Sequence, residues 1–106
     1  MLDTIILKLD SIKERYLFLE KELSNSEIVS NHQLYATYSK EYSKIKKIVE
    51  KYEEYKTNLD NLSSTKLLLE DSDPEIKSLA QDELNIITEQ LNKNEIEIKK
   101  LLIPEN

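Results

Sequence analysis

The sequence predicts an all-α fold: an elongated antiparallel three-helix bundle with coiled-coil-like packing and helices at about 2–23, 31–70 and 74–102. Three observations carry that expectation. Glycine is absent from all 106 residues and proline occurs only twice, so the residues that punctuate hairpins and irregular loops are nearly missing. Apolar residues recur at alternating steps of three and four, the period of a helix face rather than of a strand. Only two short segments, 24–31 and 71–75, interrupt the pattern. With 39% apolar and 34% charged residues, the chain describes solvated helices that still bury a core, in one domain spanning 1–106.

The first helix is written by Leu2, Ile5, Leu9, Ile12, Tyr16, Leu19 and Leu23, a heptad seam held for three repeats. Leu7, Leu17 and Phe18 widen the stripe, as expected of a helix with more than one packing neighbour. The joint that follows, residues 24–31, is rich in capping residues. Ser24 with Glu27 and Ser30 with Gln33 both have capping-box spacing, so the next helix should start near Asn31.

That second helix meets no breaker until residue 70, a run of about 60 Å. Its seam reads Tyr35, Tyr38, Tyr42, Ile45, Val49, Tyr52, Tyr55, Leu59, Leu62 and Leu69. The alternation fails at Val49–Tyr52–Tyr55, two successive steps of three, which shifts the phase of the stripe. Residues 49–55 are therefore expected to mark where the long helix changes packing partner. At the second joint Asp73 suits an N-cap, Pro74 the first helical position, and Glu75 the positive end of the helix dipole. The third helix carries Ile76, Ala80, Leu84, Ile87, Leu91, Ile98 and Leu101 on one side, with Asn94 as a polar intruder, until Leu102-Ile103-Pro104 stops it.

Composition excludes more chemistry than it suggests. Without glycine, phosphate-cradling loops and nucleophile elbows cannot be built in their usual form. Cysteine is absent and His32 is the only histidine, so that residue reads as an exposed first-turn side chain rather than a metal ligand. Adjacent carboxylates such as Asp82 and Glu83 point to different helix faces and cannot flank one substrate. No catalytic residue, cofactor or metal is expected, and the chain does not read as an enzyme. No apolar run approaches a membrane span, and the first residues lack the basic start of a signal peptide, leaving the cytoplasm as the default.

The net charge of −6 is unevenly placed: residues 71–106 carry nine acidic and four basic side chains and supply −5 of it. DNA binding through the whole surface is thereby disfavoured. A local exception is possible. Lys40, Lys44, Lys47 and Lys51 follow four-three-four spacing and share a helix face, the arrangement that could lie on a phosphate backbone. Interleaved Glu41, Glu50, Glu53 and Glu54 offer the blander reading of a solvated, ion-paired face. Five of the six tyrosines lie on the long helix; because they fall on the apolar seam, core filling outweighs a stacking platform for bases.

The residues at the joints go further than periodicity. Glu22-Leu23-Ser24-Asn25-Ser26-Glu27-Ile28-Val29-Ser30-Asn31, followed by Tyr38-Ser39-Lys40-Glu41-Tyr42, resembles the opening stretch of bacterial class I peptide chain release factors. Ile48-Val49-Glu50-Lys51-Tyr52-Glu53-Glu54-Tyr55 continues the likeness. Leu67-Leu68-Leu69-Glu70-Asp71-Ser72-Asp73-Pro74-Glu75-Ile76 is similar to that family's second joint, with Ala80-Gln81-Asp82-Glu83-Leu84 after it. Leu101-Leu102-Ile103-Pro104 is similar to the end of its first domain, with Ile103 in place of Leu. Asn25-Ser26 stands where the family has Asp-Pro. The resemblance runs in register over nearly the whole chain and is closer to the release factor 1 branch, which reads UAA and UAG, than to its UGA-reading sister.

The resemblance implies a non-catalytic N-terminal helical domain that packs on the factor's other domains and reaches the stalk base of the large ribosomal subunit, meeting a ribosomal protein and rRNA. Codon reading and peptidyl-tRNA hydrolysis would belong to later domains; their Pro-x-Thr-type and Gly-Gly-Gln motifs do not occur here, so the chain reads as an excised or truncated domain. Ser24, Asn25, Ser26 and Asn31 at the polar joint, with Lys40, Lys44, Lys47 and Lys51, are the candidate ribosome contacts. The alternative is a free-standing helical adaptor or coiled-coil oligomerisation module, using Leu7, Leu17 and Phe18 on a partner; self-association of the isolated domain is the oligomer version.

Overall fold

A computed structural model describes residues 1–104; Glu105 and Asn106 of the expected 1–106 domain lie outside the described residues. Among the described residues the chain is helical, with no strand: α1 Asp3–Glu22, α2 Ser26–Ser30, α3 His32–Leu68 and α4 Pro74–Leu101. The three long helices fall within two residues of the expected bounds. The first joint corrects the helix count. It contains a one-turn helix, α2, set between two asparagine caps. Asn25 Oδ1 accepts from the Glu27 N–H at 3.0 Å, and Asn31 Oδ1 accepts from the Leu34 N–H at 3.1 Å. The caps are therefore these asparagines and not Ser24 and Ser30, whose hydroxyls instead donate back to the carbonyls of Glu20 and Glu27. At the second joint the expectation holds: Asp73 Oδ1 accepts from the Glu75 N–H at 2.9 Å and Pro74 opens α4.

This chain without glycine closes its helices without a left-handed residue, since no described residue has positive φ. The helix ends tighten instead. Leu23 keeps right-handed angles (φ −67°, ψ −14°), while Ser24 and Asn25 donate to Lys21 and Glu22, three residues back. Leu69, Glu70 and Asp71 donate in the same way to Lys66, Leu67 and Leu68, each at 3.2 Å. Leu102 (φ −81°, ψ −11°) and Ile103 repeat the device at the end of α4. Orphan carbonyls of the last turn are satisfied by three-residue turns, a poorer geometry than a glycine cap but one open to any side chain.

The chain divides into two compact units, Met1–Glu50 and Lys51–Asn106. The division falls inside α3, within the 49–55 stretch where the apolar seam shifts phase. In the first unit α1 and α3 are antiparallel: Phe18 meets Tyr38 and Tyr16 meets Tyr42, with Leu9, Leu19 and Val49 buried. In the second unit α3 and α4 are antiparallel: Lys51 meets Glu97, Tyr55 meets Glu95, and Asn58 meets Asn94. Its buried side chains are Tyr52, Tyr55 and Thr65 from α3 with Ala80, Ile87, Asn94 and Ile98 from α4. Thr65 fills the gap that the apolar seam left between Leu62 and Leu69, in the same three-four rhythm.

Because Leu19 and Ile98 are both 0% exposed, each anchors one unit. Leu19→Ala and Ile98→Ala should each lower stability by about 2–5 kcal/mol in urea unfolding followed by circular dichroism. Leu7→Ala, at a position 68% exposed, should change it by less than about 0.5 kcal/mol.

Candidate functional site

The expected contact residues separate into three groups. In the polar joint of the first unit, Asn25 and Asn31 have their side-chain oxygens committed to capping, and the Ser24 hydroxyl leans on the Glu20 carbonyl at 3.5 Å. Ser26 opens α2 and is exposed. These four residues build the joint and leave its solvent side polar. His32 is likewise exposed, at the first position of α3.

On the α3 segment of the same unit, Lys40, Lys44 and Lys47 are exposed, as is Lys46, and none of them forms an ion pair among the described residues. Two helical turns separate Lys40 from Lys47, about 10 Å along the axis. Three unneutralised ammonium groups on one face offer point charges to phosphate oxygens and carry no sequence information of their own. Lys51 is different. It belongs to the second unit, where its Nζ lies 3.1 Å from both Glu97 and Glu54. Glu97 first, then Glu54, raises its pKa above the ordinary lysine value. Its charge is answered inside its own unit: Glu54, three residues on, is visible in the spacing along α3, but Glu97 comes from α4 and is not.

A second constellation in the first unit escaped sequence reasoning. The Arg15 guanidinium lies 5.0 Å from the Phe18 ring and 5.6 Å from the Tyr38 ring, and those rings meet edge-to-face at 6.1 Å. The same guanidinium grips Glu41 with two hydrogen bonds, Nε at 2.7 Å and a terminal nitrogen at 2.8 Å. The hydrogen bond from Arg15 is the main cause that holds the Glu41 carboxyl below the usual carboxylate range. Its stabilising contribution is therefore present above that range and fades as pH falls through the folded value. With side chains 44% and 35% exposed, solvent screening leaves the pair about 0–1 kcal/mol.

One turn further along α3, Tyr16 and Tyr42 stack with centroids 4.8 Å apart and planes 13° from parallel. Their hydroxyl oxygens are 3.0 Å apart, and Tyr42 donates to Glu20 at 3.2 Å. The Tyr16 hydroxyl, then partial burial, then the Glu20 carboxylate push the Tyr42 phenol up to about 12. Of the five tyrosines on α3, Tyr52 and Tyr55 are buried, Tyr38 and Tyr42 are half-buried against α1 side chains, and Tyr35 alone is exposed. Most of these rings are engaged within the protein, so they form packing and not an open platform for bases.

The second unit holds a polar groove of about 230 Å³ lined by Lys51, Glu54, Asn58, Gln90, Lys93, Asn94 and Glu97. At its floor Asn58 Nδ2 donates to Asn94 Oδ1 at 2.7 Å, which satisfies the polar intruder of the α4 seam. Among the described residues, no three His, Cys, Asp or Glu side chains are grouped to hold a metal ion, and no helix is long and apolar enough to cross a membrane.

The PCRF domain family matches residues 12–106. Among characterised proteins, the peptide chain release factor 1 of Chloroherpeton thalassium is 41% identical over 98 residues, covering 92% of this chain and 27% of that protein. That of Cytophaga hutchinsonii is 38% identical over 100 residues, covering 93% and 28%. That of Caldicellulosiruptor bescii is 41% identical over 103 residues, covering 96% and 29%. The chain thus spans less than a third of the length of these relatives. No solved structure matches it significantly.

A tyrosine whose folded pKa is raised contributes stability that is intact below its ordinary value and lost as pH climbs toward the folded one. For Tyr42 that window runs from 10.0 to about 12. Spectrophotometric titration of the native protein minus that of Tyr42→Phe should give a difference curve centred at about 12; a midpoint at the ordinary value would contradict the stacked, hydrogen-bonded geometry.

Proposed function

The chain belongs to the PCRF domain family, and on that premise we propose that it serves translation termination as the non-catalytic N-terminal domain of a peptide chain release factor. The observation that carries the reading is the match over residues 12–106 together with relatives at 38–41% identity, each described as peptide chain release factor 1. On this reading 1–106 is one domain of a longer factor of the UAA- and UAG-directed type, acting in the cytoplasm, and the hydrolytic and codon-reading machinery lies in other domains. Its task is to help dock the factor at the stalk base of the large ribosomal subunit, against a ribosomal protein and rRNA.

The Met1–Glu50 unit carries the features suited to that task. Lys40, Lys44 and Lys47 supply unpaired positive charge from a rigid helix, and the Ser24, Asn25, Ser26 and Asn31 joint supplies exposed polar backbone nearby in sequence. Lys51 would contribute less, because a phosphate would have to compete with Glu97 and Glu54. Arg15 is similarly engaged by Glu41. A second reading, a free-standing helical adaptor or, in its self-associating version, a coiled-coil oligomerisation module, draws on one observation: Leu7 and Leu17 are 68% and 50% exposed on α1. Sedimentation equilibrium separates the two, since a monomer that does not change with concentration is incompatible with self-association.

Reversing Lys40, Lys44 and Lys47 together to Glu should weaken binding of the chain to ribosomes about tenfold or more and flatten its dependence on salt, because fewer counterions are released. Lys51→Glu alone should cost less binding than the triple change. Unaltered affinity and an unaltered salt slope in the triple variant would exclude this strip as the docking surface.

A further inference from the structure

The lysine strip leaves one face of the Lys51–Asn106 unit without a role. On the outer side of α4, Leu79 is 64% exposed and Ile86 51%. Seven residues apart, they stand two turns above one another and form a short apolar ridge. Beside the ridge, where α3 ends and α4 begins, lies a groove of about 360 Å³ lined by Thr65, Leu68, Ile76, Leu79, Ala80 and Glu83. Its polar members are few, and Leu68 and Ile76 are exposed at its edge. An apolar groove continuous with an exposed ridge marks a surface made to be covered.

The charge around this groove says what covers it. Residues 70–89 hold seven carboxylates and a single lysine, Lys77. Glu75, Asp82 and Glu89 repeat at intervals of seven along one flank of the ridge, since Asp82 lies three residues after Leu79 and four before Ile86. Glu83 lines the groove itself. None of these four carboxylates forms an ion pair among the described residues. A second copy docked through the same face would set carboxylate against carboxylate, and RNA or an anionic lipid surface would be repelled in the same way. A helix with an apolar stripe bordered by Lys or Arg meets both demands at once, its anchors filling the groove and its cations reaching the rim.

We propose that the groove and outer face of α4 dock a basic amphipathic helix of a partner protein. The apolar anchors seat against Leu68, Ile76 and Leu79 and carry the affinity, while Glu75, Asp82, Glu83 and Glu89 fix the orientation and reject acidic partners.

The test uses the isotopically labelled full chain and a synthetic helix of about five turns, leucine on one face and lysine on the other. Two controls accompany it: the same composition scrambled so that no apolar face forms, and the same face with glutamate in place of lysine. Saturable amide shifts centred on Leu68, Ile76, Leu79 and Ile86 are expected with the first peptide and not with either control. Leu79→Ser with Ile86→Ser should weaken binding about tenfold or more. Asp82→Lys with Glu83→Lys, which spares the apolar surface, should weaken it as well and should remove its salt dependence. Equal binding of the scrambled peptide, shifts confined to Met1–Glu50, or full affinity in both variants would overturn the proposal. So would the same shifts on adding an RNA oligonucleotide, or a monomer–dimer equilibrium of the chain that Leu79→Ser abolishes.

Discussion

Each cross-helix hydrogen bond, ion pair and ring contact described above has one end on α3. Arg15 reaches Glu41, Tyr16 reaches Tyr42, Glu97 reaches Lys51 and Asn94 reaches Asn58. The structure therefore depends on 37 consecutive residues holding a single helical ladder. Intrinsic propensity alone does not sustain so long a helix in water, because Tyr, Ser and Thr are set among its Lys, Leu and Glu. What sustains it is burial along its seam, through Val49 and then Tyr52, Tyr55 and Thr65. Packing and continuity are mutually dependent here: the ladder positions the seam residues, and the buried seam keeps the ladder intact.

The division of labour along α3 explains why its seam is imperfect. A strict three-four alternation serves one partner helix, whereas two successive steps of three rotate the stripe. That rotation falls where one compact unit gives way to the next. The polar members of the seam have a separate use. A carboxamide pair such as Asn58 with Asn94 loses its hydrogen bond if α4 slides by one turn, leaving a buried polar group unsatisfied, so it favours a single register over an apolar pair's several.

Much of this was legible in the sequence. The three long helices, the Asp73-Pro74 start and the buried Leu9, Leu19, Ile87 and Ile98 follow from periodicity and capping chemistry, which are local. The misses share a physical origin. Ser24 and Ser30 have box spacing, but Asn25 and Asn31 compete one residue later: the Asn25 side-chain oxygen takes the Glu27 N–H that a Ser24 box would use, the Asn31 oxygen takes the Leu34 N–H, and the turn between them closed into α2. Thr65 escaped an apolar reading because its residue type is polar, although it is buried at a seam position. Glu41 beside Arg15 and Glu97 beside Lys51 come from another helix, so these pairings depend on register between helices, which no single helix encodes. The expected strip of four lysines thus became three free charges and one engaged.

The turns that close these helices have a consequence for variation. With no described residue at positive φ, none of the described positions demands glycine, and none stores the strain of a bulky residue held left-handed. Apart from proline, every amino acid can adopt the backbone angles already present. A complete substitution scan of this chain would therefore report side-chain packing, capping and charge almost undiluted by conformational exclusion, and the positions that resist change would trace its core.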